Sequence, residues 1–220
     1  LMNIYLDDFD QYMKSKGHRI VRYADDILLL GSSKSEAWQL LQVATHYLEK
    51  ELLLTVNQAK THVTHLSEGI PYLGVEIHER GIFLSKKSIR SFKDKIRVLT
   101  PRYKGAKLTD HVHEINKSLR GFMNYFRVTC NRLVFQDLMG WVRRRLRMMK
   151  LVEWKSWKGL HRQLRRMGYK KSFERVDVKK WRMSKAHLAH MALPNKWFTE
   201  ELKLFDMTKV EVNTLHQYYE

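Results

Sequence analysis

Two adjacent carboxylates, Asp25 and Asp26, stand at the junction of two apolar runs, Ile20-Val21 before them and Ile27-Leu28-Leu29-Leu30 after. Each run has the length and composition of a strand, and Asp tolerates the backbone angles of a tight turn, so the segment reads as a β-hairpin. Tyr23-Ala24-Asp25-Asp26 then lies at its tip. Paired carboxylates in that position offer the hard oxygen ligands that Mg2+ prefers. Two such ions can activate an attacking oxygen and neutralise the charge that builds on a transferring phosphoryl group, which points to nucleotidyl transfer. A plain solvated Asp-Asp turn has the same four letters, and the downstream segments separate the two readings.

Ser33-x-x-Glu36 has the form of a capping box, and Trp38, Leu41, Ala44, Tyr47 and Leu48 follow at helical spacing. A hairpin thus feeds a crossover helix. Beyond it come Leu54-Thr55-Val56, Asn57-Gln58-Ala59-Lys60-Thr61, His62-Val63-Thr64-His65-Leu66 and Tyr72-Leu73-Gly74-Val75-Glu76-Ile77. The order Tyr-Ala-Asp-Asp, helix, Asn-x-x-Lys-Thr, Leu-Gly resembles the second half of a reverse transcriptase palm, specifically that of the group II intron family. Three motifs in order are far more specific than one.

That resemblance implies roles. Asp25 would be the principal Mg2+ ligand and Asp26 its weaker neighbour, with Tyr23 and Ala24 beside the primer end. Lys60 would reach the phosphates of the incoming deoxynucleoside triphosphate, where a cation stabilises the leaving pyrophosphate; a solvated turn lysine is the plainer reading. Leu73-Gly74 matches the segment that grips the primer backbone, since Gly lets another backbone approach closely, while a strand bulge is the rival account of Gly74. Leu1-Met2-Asn3-Ile4-Tyr5-Leu6 is similar to the tail of the family's Pro-Leu-Leu-x-Asn-Ile motif. The chain is therefore expected to start inside the palm, with the fingers and a further metal-binding Asp supplied upstream or on another chain. With those missing, the chain alone is expected not to extend a primer. Ile4, Leu6, Phe9 and Met13 predict a short amphipathic helix, with Asp7, Asp8 and Asp10 as surface charges.

Charge is distributed unevenly. The net charge is +18 over 220 residues, yet residues 1–85 hold 8 Lys and Arg against 11 Asp and Glu, a balance of −3, while the remainder holds 33 against 12, or +21. A cationic excess confined to one half marks a surface for polyanions. The boundary falls near residues 85–107. Gly81 supplies a turn between Val75-Glu76-Ile77 and Ile82-Phe83-Leu84; Lys86 to Leu99 reads as a basic amphipathic helix ended by Pro101, and Arg102-Tyr103-Lys104-Gly105 as a basic linker. Thr109 is the expected N-cap of the next helix, whose apolar face is Val112, Ile115, Leu119, Phe122, Met123 and Phe126. Asn131 is the expected cap of another, with Leu138, Trp141, Val142, Leu146 and Met149 buried and Arg143, Arg144, Arg147 and Lys150 on an open cationic side. Such a face suits phosphate contacts, which give affinity without sequence information.

Leu119-Arg120-Gly121-Phe122-Met123-Asn124-Tyr125-Phe126 followed by Trp141-Val142-Arg143-Arg144-Arg145-Leu146-Arg147 is similar to the thumb, or maturase, domain of group II intron proteins, as are Trp181-Arg182-Met183-Ser184 and Leu193-Pro194-Asn195-Lys196-Trp197. Arg120 joins the expected nucleic-acid contacts. Lys155, Lys158, Arg165, Arg166, Lys170 and Lys171 join them too, interleaved with Trp154, Trp157, Tyr169, Phe173 and Trp181, rings of which at least half are assigned to packing. The lone Cys130 excludes a disulfide scaffold and argues against Cys-rich zinc modules, including the endonuclease domain that many family members carry. None of the pairs His62/His65, His111/His113 and His187/His190 has a Cys or carboxylate cluster at ligand spacing. No apolar run is long enough for a membrane span, and a reducing bacterial cytoplasm or an organelle matrix is the expected setting.

The expected fold is α+β: a palm segment with antiparallel strands over 1–85, a connecting helix and basic linker over 86–107, and an α-helical thumb over 108–220. By resemblance, the partners are intron RNA, an RNA template, primer or target DNA and deoxynucleoside triphosphates. The implied activity is RNA-directed DNA synthesis for retrohoming, with help in intron splicing. The alternatives are an RNA-binding splicing factor whose palm no longer polymerises and a reverse transcriptase of a defence system.

Overall fold

A computed structural model describes residues 1–101 and 107–214, so the linker expected at Arg102-Tyr103-Lys104-Gly105 lies outside the described residues. The chain divides into two compact units, Leu1–Arg80 and Gly81–Glu220.

In the first unit, helices α1 (Met2–Tyr5) and α2 (Asp7–Ser15) precede strands β1 (Arg19–Tyr23) and β2 (Asp26–Leu30), helix α3 (Lys34–His46) and strands β3 (Ile70–Tyr72) and β4 (Val75–His78). Leu6, Phe9 and Met13, three and four residues apart, turn one side of α2 inward against Leu40, Ala44, Leu48 and Leu52, while Ile20, Ile27 and Leu29 cover this core from the hairpin. Ile4 is 78% exposed and belongs to no such stripe. The buried line of α3 is also shifted from expectation. Leu40 and Ala44 face the core and Trp38 is about half exposed, because the stripe is set by which residues meet α2 and not by ring size. Ser33 caps α3 by accepting from the Glu36 amide at 3.1 Å, but the Glu36 carboxylate closes the box on the amide of Ser32 at 2.7 Å, one residue earlier than the motif implies.

The second unit begins with β5 (Gly81–Leu84) and continues through α4 (Lys86–Leu99), α5 (Leu108–Phe126), α6 (Arg132–Glu153), α7 (Trp157–Arg166), α8 (His187–Ala192) and α9 (Asn195–Glu200). Helix α4 has the expected bounds. Helix α5 starts at Leu108, so Lys107 and not Thr109 holds the cap position; the Leu108 amide is instead satisfied by the Glu153 carboxylate at 3.1 Å. Asn131 holds the N-cap position of α6 without a side-chain bond to that helix, its side-chain oxygen accepting instead from the Leu84 amide and so fastening β5 to the α5–α6 turn. Val112, Ile115, Leu119, Met123 and Phe126 of α5 and Leu138, Val142, Leu146 and Met149 of α6 are buried. Burying each such side chain contributes about 1.5–3 kcal/mol relative to exposure.

Candidate metal hairpin and nucleic-acid surface

Strands β1 and β2 pair antiparallel with Tyr23 opposite Asp26, which leaves Ala24 and Asp25 as a two-residue turn. Ala24 has φ 56°, at the first central position, where a hairpin of type II′ asks for Gly. The turn is held by Arg22. Its guanidinium donates to the Ala24 carbonyl at 3.0 Å, to Asn3 Oδ1 at 3.1 Å and to both oxygens of Asp10, the shortest contact being 2.6 Å. The Arg22 and Asp10 side chains are only 10% and 16% exposed, and the bond to Asp10 holds the guanidinium pKa above its ordinary value. Asp10 is therefore a structural partner and not the free surface charge expected, and Asp8 accepts from the Tyr47 hydroxyl at 2.7 Å, which pushes the phenol up to about 12. The strand alternation gave a signal for Arg22: its position is in phase with Ile20, so it faces inward and needs a buried acceptor.

With its base fixed this way, the tip presents Tyr23, Asp25 and Asp26 to solvent. Among the described residues neither carboxylate takes a hydrogen bond or an ion pair, and no group of three His, Cys, Asp or Glu is assembled around a possible metal. Tyr72 was missed by sequence reasoning. Its hydroxyl is buried without a partner, and burial first, then the charge of Asp26, push its pKa up while Arg22 opposes the shift. The following residues Leu73 and Gly74, with φ of 47° and 81°, form a two-residue turn between β3 and β4 in which Tyr72 pairs with Val75. Consecutive positive φ values are the mark of a type I′ hairpin, so Gly74 is a turn residue and not a bulge. Lys60 is exposed in a separate turn closed on the Asn57 carbonyl, which accepts from the amides of Lys60 and Thr61 at 3.0 and 3.1 Å.

In the second unit the cations expected on α6 are not on an open face. Arg147 is 2% exposed and donates to the Leu193 carbonyl at 3.1 Å through both Nε and Nη2; burial, with Arg143 adding repulsion, pushes its pKa down to about 10. Arg143 pairs with Asp206 at 2.6 Å, Arg144 lies 5.2 Å from the Trp181 ring centre, and Lys150 pairs with Glu153 at 2.6 Å. Arg120 stacks 4.7 Å from Phe205. Trp141, expected in the buried stripe, is partly exposed and ringed by Lys93, Arg97 and Arg145 at 6.0, 5.8 and 5.4 Å. For Arg120, Arg143, Arg144 and Arg147 the cause is the returning segment after residue 180, which supplies Phe205, Asp206, Trp181 and Leu193.

Helix α7 is the opposite case. Leu160, His161 and Leu164 are buried, while Lys158, Arg165 and Arg166 are exposed together with Arg162, which completes the same face and was not singled out from the sequence. Lys155, Lys170 and Lys171, on either side of the helix, are also exposed. Trp157 and Phe173 sandwich His161 at 4.9 and 5.5 Å, so these rings serve packing.

Two family models match the chain: reverse transcriptase (RNA-dependent DNA polymerase) over residues 1–77, and group II intron, maturase-specific domain, over residues 89–170. Residues 1–77 belong with the reverse transcriptases and residues 89–170 with the group II intron maturase domains. No curated protein matches it. The reverse transcriptase match contains the whole Asp25–Asp26 hairpin together with Lys60 and the Leu73–Gly74 turn, and the maturase match contains α4 without its first turn, α5, α6 and α7. The maturase domain therefore includes both the occupied α6 face and the open α7 face. No helix among the described residues is long and apolar enough to cross a membrane.

Proposed function

We propose that the chain is the catalytic-hairpin and maturase part of an RNA-directed DNA polymerase that binds intron RNA, assists its splicing and copies RNA into DNA for retrohoming. The observation that carries this reading is the exposed pair Asp25 and Asp26 on a hairpin whose base is locked by Arg22 and Asp10. The donors fit Mg2+ in kind, since carboxylate oxygens are its preferred ligands, and Asp25 with Asp26 would hold it. When bound, the ion supplies activation of the attacking oxygen and neutralisation of phosphoryl charge. Two carboxylates are a partial set, so further ligands come from outside the described residues, as does the remainder of the fold that would cradle template and primer. Arg22 keeps the pair at the tip by fixing the turn carbonyl, and Lys60 and the Leu73–Gly74 turn are the candidate contacts for triphosphate and primer. Intron RNA is met by the cationic face of α7 and the lysines flanking it.

The test is deoxynucleotide incorporation on an RNA template with Mg2+, with and without a fingers-and-palm half of a group II intron reverse transcriptase added in trans. Synthesis is expected only with the added half, and Asp25→Asn should then lower it by orders of magnitude while RNA affinity stays constant. Full synthesis by the Asp25→Asn chain would sink the assignment.

A further inference from the structure

Between α4 and α5 lies an open cleft of about 270 Å³, close in size to the smallest ligand pockets. Its floor is aromatic, with the Phe92 and Phe122 rings 4.2 Å apart. Lys95 stands on one rim and Lys117 on the other, both exposed and neither ion-paired among the described residues. Two residues of the wall, Ser118 and Gly121, bear on what the cleft can hold. Ser118, 6% exposed, lines the cleft from α5. Gly121 sits inside α5, where Gly is less favourable than Ala, and a Cβ built there meets nothing within 4 Å. No neighbouring side chain or backbone demands the glycine. What the missing side chain leaves is room in a cleft lined by Phe92, Phe122, Ser118 and two lysines.

The geometry points to a binding site for a nucleotide phosphate, with the phosphate held between Lys95 and Lys117, a phosphate or sugar oxygen on Ser118, and the sugar or base over Phe92 and Phe122 at the gap left by Gly121. Point-charge lysines suit a phosphate, and an aromatic floor accepts any base by stacking. The phosphate comes either from a nucleic-acid strand or from a free mononucleotide. The strand source rests on the RNA-binding reading above; the mononucleotide source does not.

The experiment uses the full 220-residue chain, a labelled ten-nucleotide single-stranded RNA of mixed sequence followed by anisotropy, and adenosine monophosphate followed by calorimetry. Gly121→Leu starts from a Cβ in open space and replaces a helical glycine, so its melting temperature should hold or rise while affinity for the bound probe falls at least about tenfold. Ser118→Ala should lower affinity about threefold. Lys95→Gln with Lys117→Gln should flatten the plot of log affinity against log salt for the RNA by about 1.4 units, at about 0.7 per lost contact on a single strand. Loss of RNA binding alone assigns the cleft to a strand, and loss of adenosine monophosphate binding assigns it to a mononucleotide. Unchanged affinity for both probes in Gly121→Leu overturns the site. Should that variant melt early, Ser118→Ala decides in its place. If RNA does not bind the unmodified chain at all, the functional reading above fails separately and the adenosine monophosphate titration alone decides the cleft; no binding there would overturn it too.

Discussion

Helices α6 and α7 are both rich in arginine and lysine and both fall within the maturase match, yet their cations have opposite fates. On α6 they are consumed internally: Arg143 on Asp206, Arg147 on the Leu193 carbonyl, Lys150 on Glu153 and Arg144 on the Trp181 ring. On α7 Lys158, Arg162, Arg165 and Arg166 remain in solvent. A basic stripe thus has two physical uses. Long cationic side chains have apolar stems that pack well and heads that satisfy stray carbonyls, so a stripe binds phosphate only where no later segment covers it.

The largest effect that would test this contrast is on stability. Arg147→Ala removes a fully buried side chain and leaves the Leu193 carbonyl without its donors, which should cost roughly 3 kcal/mol. Urea unfolding measures it. A loss within about 0.5 kcal/mol, the range of ordinary surface changes, would put Arg147 back among exposed cations. The next effect is on binding. Lys158→Gln with Arg165→Gln should flatten the log affinity against log salt plot for single-stranded RNA by about 1.4 units and leave the unfolding midpoint in place. Fluorescence titrations at several salt concentrations read it, and an unaltered slope would mean that α7 is no more a phosphate surface than α6. The smallest effect is at the end of α6. Lys150→Gln breaks a partly exposed pair with Glu153, and since solvent screens such pairs, thermal melts should register a loss of about 0.5 kcal/mol. A melt several times more sensitive would show that Lys150 fixes Glu153 against the Leu108 amide and works as part of the α5 start.

How much of this was legible in the sequence follows from the range over which each feature is decided. The hairpin at Tyr23–Asp26, the Ser33 cap and helix 86–99 depend on neighbours a few residues away, and local pattern located them. The family motifs singled out Asp25, Asp26 and Leu73-Gly74 as candidates, but that the last pair forms a turn was not read from them. Arg22 with Asp10, twelve residues apart, was half visible, because an inward-facing arginine announces a need for an acceptor without saying which. The α6 face was not visible. Its partners Ser184, Leu193, Asn195 and Asp206 lie 40 to 63 residues further along, and helical periodicity identifies an apolar stripe without revealing what will cover the remaining circumference. Trp141 failed for the same reason: cations from α4 and α6 itself surround a ring that hydrophobicity alone would bury.

The covering segment also has a temporal meaning. Asn116 on α5 bonds the Lys203 carbonyl and the Phe205 amide, across 87 and 89 residues, and Thr129 accepts from the Asn213 amide. During synthesis on a ribosome α5 and α6 emerge long before these partners do. Until residues 193–206 have been made, Asn116, Arg143 and Arg147 are without the partners they hold in the folded chain. Contacts of such long sequence separation form late and slowly. The same arginines that end as internal clamps are therefore unpaired cations while these partners are missing, and a chain ended after residue 180 should retain RNA more strongly than the 220-residue chain.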